Sequence, residues 1–263
     1  MLSCIYWFKH WQIRRILKRH TIPHAPWHAL MAEDKLFSGL SSVQKAYLRE
    51  LASLFIYQKN LRVAQGMLLS SAMQIKIAAH ACLLILEWDL GAYQGWRDII
   101  VYPTGFIVER DEVDELGVVS HQQQVLEGEA WLTGPVVLEW QSFDEQTRSF
   151  TPGHNLVLHE FAHKLDMLNG AANGMPPLHP SMKREDWTQA FSQGFAQLQH
   201  QVEFGLNPTI NAYAATDPAE FFAVSSEYFF TAPALLHRHF PRVYQQLKLF
   251  YRQDPLARLN RCA

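Results

Sequence analysis

Hydrophobic residues recur at helical spacing over several long stretches of the chain and crowd together in a few short ones. Residues 41–59, SSVQKAYLRELASLFIYQK, put Leu48, Leu51, Leu54 and Phe55 on one side of a helix, with Ser41 or Ser42 placed to cap its start. Residues 71–88 predict a second helix. Its run from Ile75 to Trp88 is largely apolar, yet it holds Lys76, His80 and Glu87 and falls short of the ~20 residues a membrane span needs, so it is expected as a buried core helix. The pattern then changes. Asp98 to Glu109 is rich in β-branched and aromatic residues, is broken by Pro103-Thr104-Gly105, and predicts one or two strands. The acidic run at 109–115 predicts a solvated loop, and Val136 to Trp140 predicts a short strand. Beyond residue 154 helices dominate, at about 155–168, 183–203, 217–230 and 233–251. Strands grouped together, with helices before and after, predict an α+β fold that is mostly helical with a small sheet.

Composition narrows the function classes. A chain of 263 residues, 48% hydrophobic and 18% charged, has the apolar material for a real core and is no disordered segment. No repeat, low-complexity tract or Gly/Ser linker divides it. Lys+Arg of 23 against Asp+Glu of 25 gives a net charge of -2, so no direct nucleic-acid partner is expected. Cys4, Cys82 and Cys262 are too far apart for a disulfide framework or a cysteine zinc site, which fits a reducing, cytoplasmic setting. Residues 1–29 form a separate expectation. Their charges (Arg14, Arg15, Lys18, Arg19) thicken toward the end instead of preceding an apolar run, unlike a secretory signal. They read as a basic amphipathic helix or arm that caps the fold or meets a membrane surface or a partner. Residues 30–263 read as one domain, with an active-site half from about residue 150.

The chemistry lies in Asn155 to Gly170, NLVLHEFAHKLDMLNG. Asn155 is a good N-cap and Asn169-Gly170 a good helix stop. Between them, His159 and His163 stand four apart on one helical face, where two imidazoles can share a zinc ion. Glu160, one step round the helix, can reach a water there without being a ligand, as a general base must. Val157, Phe161, Leu165 and Leu168 supply an apolar opposite face. A catalytic zinc needs a third protein ligand. No His stands at the short downstream spacing of the metzincins, and His179 lies too far along in a Pro-rich loop. A carboxylate on a later helix is expected. In DPAEFFAVSSEYFF, Asp217 caps, Pro218 opens the helix, and Glu220 could bind metal or merely close a capping box. Glu227, seven residues on, shares its face, and spacing leaves the two nearly even. Asp166, on the face of both histidines, could accept the second ring N–H of either.

HEFAHKLD followed by YAATDPAEFFAVSSEYFF resembles the Mlc titration factor A family of bacterial zinc metallopeptidases, over about residues 30–255 and including GFIV and VVLEW. The catalytic half is also similar to the protease domain of anthrax lethal factor. Both families pair a HExxHxxD helix with a Tyr seven residues before the ligand Glu; those positions here are Asp166, Tyr213 and Glu220. Asn211 stands where the resemblance leads one to expect Asp. The resemblance implies a zincin-like metallopeptidase domain holding one zinc ion per chain on His159, His163 and Glu220; that favours Glu220 over Glu227 and leaves Glu227 to support a ligand, as Asp166 could, or to pair with a nearby cation. It implies Glu160 as general base and Tyr213 as hydrogen-bond donor to the transition state. It further implies a peptide or protein substrate, aminopeptidase action among the modes, and a protein partner, the repressor Mlc, sequestered to regulate glucose-uptake genes. Two other readings compete: a non-catalytic binding regulator with a structural metal site, and a metal-free protein whose histidines are core. The strand at 136–140 is expected to edge the cleft and pair with substrate backbone.

Overall fold

The computed structural model describes the backbone of residues 2–104, 106–113, 119–126, 128–130 and 134–260, and the side chains of 11–104 and 134–260. The first elements are helices α1 (Leu2–His20), α2 (His24–Glu33) and α3 (Ser42–Gln58). Ser41 caps α3: its side chain accepts from Gln44 N–H while the Gln44 side chain reaches back to the Ser41 backbone. α1 is therefore a regular helix and no loose arm. Ile16 and Leu17 pack against the core, while Arg14, Arg15, Lys18 and Arg19 face solvent. The segment after it is tied to α3, since Ile22 N–H donates to Ser53 Oγ at 3.0 Å and Arg49 Nε donates to the Ile22 carbonyl at 2.7 Å.

Strand β1 (Asn60–Val63), helix α4 (Ser71–Leu84) and strand β2 (Asp98–Tyr102) follow. β1 lies parallel to β2, with α4 as the crossover that parallel pairing requires. β1 is absent from the expected elements because four residues, exposed or half-buried in alternation, carry almost no periodic signal. α4 is apolar on all sides and almost wholly buried, as expected, but it ends at Leu84 and not at residue 88.

Strands β3 (Phe106–Val113) and β4 (Val119–Leu126) form an antiparallel ribbon of their own. The acidic run expected as a loop is thus strand as far as Val113; residues 114 and 115 lie outside the described residues. Strands β5 (Gly128–Ala130) and β6 (Val136–Glu139) complete the main sheet, in the order β1-β2-β6-β5. β2 and β6 are parallel, and β5 runs antiparallel on the far side of β6. The strand expected at the cleft edge is therefore internal, paired on both sides, and β5 takes the end position.

The remaining helices are α5 (Trp140–Ser149), α6 (Leu156–Asp166), α7 (Arg184–Glu203), α8 (Pro218–Thr231), α9 (Pro233–His239), α10 (Pro241–Tyr251) and α11 (Pro255–Asn260). α5 was not anticipated; its polar sequence buries only Phe143 and Thr147. The single helix expected over 233–251 is two. Pro241 cannot donate a backbone hydrogen bond and drives Phe240 out of helical geometry, to φ -130 and ψ 59. Among the described residues no helix is long and apolar enough to cross a membrane.

α6 is the hub. It packs on α4, α5, α8 and the β5-β6 end of the sheet. Phe161 is fully buried, with ring centroids of Phe55, Tyr93 and Trp96 at 5.6, 5.2 and 5.7 Å. Val157 and Leu165 are buried too, but Leu168 lies beyond the helix in a 3-10 turn and is 42% exposed, outside the apolar face assigned to it. The turn into α6 lies flat against α8. Gly153 N–H donates to Thr231 Oγ1 at 2.8 Å. Gly153 has φ +77, and a Cβ there would stand 2.1 Å from the Tyr228 ring. Gly153→Ala is expected to cost about 3 kcal/mol, combining a left-handed backbone with an aromatic clash. Gly66→Ala, also at positive φ but with nothing within 4 Å, should cost about 1 kcal/mol. Thermal melts of the two variants side by side check the difference.

Candidate metal centre

α6 begins because Asn155, extended at φ -161 and ψ 98, caps it: its side-chain oxygen accepts from Leu158 N–H at 3.0 Å. α8 begins in the same way, with Asp217 Oδ1 accepting from Ala219 and Glu220 N–H at 2.7 and 3.0 Å and Pro218 in the first turn. The capping oxygen comes from Asp217 alone. The Glu220 carboxylate turns instead toward α6.

Where the two helices meet, His159 Nε2 and His163 Nε2 are 3.1 Å apart. Glu220 Oε2 lies 3.1 Å from His159 Nε2, and Glu220 Oε1 lies 3.4 Å from His163 Nε2. Ligands held at zinc–nitrogen distances on a tetrahedron are separated by about 3.3–3.4 Å, close to these three contacts, in which both Glu220 oxygens take part. Glu220 Oε2 is buried and faces His159 Nε2, so the carboxylate is turned inward toward the two imidazoles. Two imidazoles and a carboxylate so placed can hold a divalent metal ion.

Electrostatics follow the same geometry. Burial works to raise the Glu220 pKa, but its bonds to His159 and His163 hold it well below the usual carboxylate range. Burial opposes protonation of His159, yet bonds to Glu220 and Glu227 push its pKa well up. Glu160 is 4% exposed; burial raises it to about 7 against the pull of the two imidazoles, and its Oε2 has no hydrogen-bond partner. Tyr213 sits in a 3-10 turn, Ala212–Ala215, with its ring centroid 6.3 Å from that of His159. Burial and then the Glu220 charge raise its phenol to about 12. Asn211, in place of an expected Asp, still makes this turn, because its side-chain oxygen accepts from Tyr213 N–H at 3.0 Å.

The two rival acids reach the same imidazole from opposite sides. Glu220 faces Nε2, and Glu227 Oε1 lies 2.9 Å from Nδ1. Glu227 thus occupies the outer position considered for Asp166. Asp166 looks the other way: its Oδ2 accepts from Asn173 and Gly174 N–H at 2.8 and 2.7 Å. It ties the loop after α6 against α8, where a Cβ on Gly174 would meet the Pro218 carbonyl oxygen at 2.4 Å. Sequence reasoning missed two buried polar residues near the centre, Asp34 and His80. His80 was visible only as a polar interruption in an apolar helix, with nothing to name its partner.

The family described as glucose-regulated metallo-peptidase M90 matches residues 8–252. The match starts inside α1, well before residue 30 where the motif resemblance was expected to begin. Mlc titration factor A of Klebsiella pneumoniae subsp. pneumoniae is 40% identical over 235 residues, spanning 89% of this chain and 88% of its own. Mlc titration factor A from Yersinia pestis (strain Pestoides F) and from Yersinia pseudotuberculosis serotype O:1b is 41% identical over 241 residues, spanning 90% of this chain and 87% of its own.

Asp166→Ala should leave the buried Gly174 N–H and the part-buried Asn173 N–H without their acceptor. The expected loss is about 3 kcal/mol, read as a fall in melting temperature of roughly 6–12 °C.

Proposed function

The chain belongs to the glucose-regulated metallo-peptidase M90 family, and from that premise we propose that it hydrolyses peptide bonds with one zinc ion held by His159, His163 and Glu220. The observation that carries this reading is the convergence of His159, His163 and Glu220, whose contacts with one another are 3.1–3.4 Å, beside the buried carboxylate of Glu160. Zinc held there supplies a Lewis acid that polarises the scissile carbonyl and eases deprotonation of a water. Glu160 accepts the proton of the attacking water and returns it to the departing amine. Positive charge at the centre favours the ionised, proton-accepting form of this carboxyl. Tyr213 keeps its phenol proton across the neutral range and donates a hydrogen bond to the oxyanion developing on the carbonyl; one such donor is worth about 3 kcal/mol. β5, at the end of the sheet and packed near α6, offers its outer backbone groups to an extended peptide. The setting is the cytoplasm, and the substrate a peptide or protein.

A second role rests on the relatives' shared name. At about 40% identity over nine-tenths of the chain, this protein is expected to bind and sequester the repressor Mlc as well, and so to regulate glucose-uptake genes. A surface remote from the metal would serve, so the two roles are compatible. If only this role is real, the metal site is structural.

Wild-type protein should hold one zinc ion per chain and lose hydrolysis on chelation. Glu160→Gln should keep the ion and lose about 10³-fold in kcat. Glu220→Gln should lose zinc, and Glu227→Gln should retain it. A peptide pair with free and acetylated N-termini separates aminopeptidase from endopeptidase action. Hydrolysis retained in Glu160→Gln, or zinc lost from Glu227→Gln but not from Glu220→Gln, overturns the assignment.

For the second role, Glu160→Gln protein should capture purified Mlc as tightly as wild type does. Failure of the wild type to bind Mlc refutes that role, and loss of capture only in the variant ties partner recognition to the active site.

A further inference from the structure

A buried chain of hydrogen bonds runs from the N-terminal quarter of the protein to the candidate metal centre. It starts at Asp34, between α2 and the 3-10 turn Lys35–Phe37, whose Oδ1 accepts from Leu36 N–H at 3.0 Å. The other carboxylate oxygen, Oδ2, lies 2.8 Å from His80 Nε2. His80 Nδ1 lies 2.9 Å from Asn155 Nδ2. The backbone N–H of Asn155 donates to Glu227 Oε2, and Glu227 Oε1 lies 2.9 Å from His159 Nδ1. Asp34, His80, Asn155 and Glu227 are all buried, at 7%, 0%, 3% and 6% exposure.

The chemistry of the side chains fixes the direction of every link. Asn155 must present Oδ1 to Leu158 N–H to cap α6, so its amide nitrogen faces His80 and can only donate. His80 Nδ1 is then an acceptor, its proton sits on Nε2, and that N–H donates to Asp34. At the other end a carboxylate can only accept, so His159 carries its proton on Nδ1 toward Glu227. Its Nε2 is thereby the nitrogen turned toward His163 and Glu220, where a metal ion would displace its proton. The His80 ring is further clamped edge-on between Phe37 and Phe143, with centroids 5.2 and 5.0 Å away.

We infer that His80 and Asp34 are positioning residues for the metal helix: they lock Asn155 as the cap of α6 and, through its backbone and Glu227, fix the ring of His159 with Nε2 inward. The inference rests on the reading of His159 as a metal ligand. Groups that orient a ligand in this way commonly change metal affinity by ~10–100-fold when removed.

The test uses the full chain and three variants. His80→Leu keeps an apolar side chain between Phe37 and Phe143 and removes both bonds. Asp34→Asn keeps the volume and reverses the polarity of one link. His80→Asn restores an oxygen acceptor toward Asn155. Each is examined metal-free, by melting temperature and by hydrogen exchange of the amides at 156–159, and then by zinc titration against a competing chelator and by the visible spectrum of the cobalt(II) form. His80→Leu and Asp34→Asn should exchange faster at the start of α6, bind zinc ~10–100-fold more weakly and show an altered cobalt spectrum. His80→Asn should recover most of the affinity. Wild-type exchange and affinity in both disrupting variants overturn the inference. So does faster exchange with unchanged zinc affinity and cobalt spectrum, which would reduce the chain of bonds to a fold element. If His80→Leu fails to fold, Asp34→Asn decides by the same measures. A wild-type protein that binds no zinc defeats the metal reading itself. Exchange at 156–159 that still responds to both variants would then leave the capping half of the inference standing.

Discussion

Glu160, Glu220, Glu227, His159 and His163 bring acidic and basic groups into a largely aliphatic and aromatic interior, and such groups persist there only if each is oriented toward another. That requirement shapes the surrounding chain. α6 and α8 must lie close enough for carboxylates on one to meet imidazoles on the other. The turn before α6 must therefore run flush with α8, which is why a residue without a side chain stands against Tyr228. The loop after α6 must also return to the start of α8, which is the work of Asp166. The polar cluster and the aromatic packing around it are one arrangement: Phe161 anchors α6 to α3 and the segment before β2, while Phe221, Phe222, Phe229 and Phe230 pack α8 against α7 and α10.

Features governed by local rules were legible in the sequence. The caps at Ser41, Asn155 and Asp217 lie where residue preferences put them, because each satisfies orphan N–H groups within three residues of itself. The HExxH pair is equally local, since helical periodicity alone brings His159 and His163 to one face. The long-range pairings were not legible. Nothing in Asn60–Val63 announces a strand, because its partner supplies the order. Nothing in Val136–Glu139 tells an internal strand from an edge. The proline at 241 was a local signal, and the expected helix over 233–251 ran through it.

The site divides along the same line. Glu220 and Glu227 are seven residues apart, and helical geometry puts them on one face without saying which ring nitrogen each meets. Only the approach of α8 to α6 resolves that. Asp166 shows the opposite error: a residue on the right face of the right helix, drawn away by two backbone donors in the loop that follows. The link between Asp34 and His80 spans 46 positions and joins two residues that each look ordinary in their own segment.

His159 is gripped at both nitrogens by carboxylates about two turns apart on a single helix. Turning α8 about its axis by one residue, some 100°, would swing both acids away from the ring together. Sliding it along its axis would disengage them just as surely. The imidazole therefore works as a gauge of helix alignment: a misassembled core loses both contacts at once and strands two anions in a greasy interior, so a near-miss packing is penalised steeply and the chain is steered to a single seating of α8.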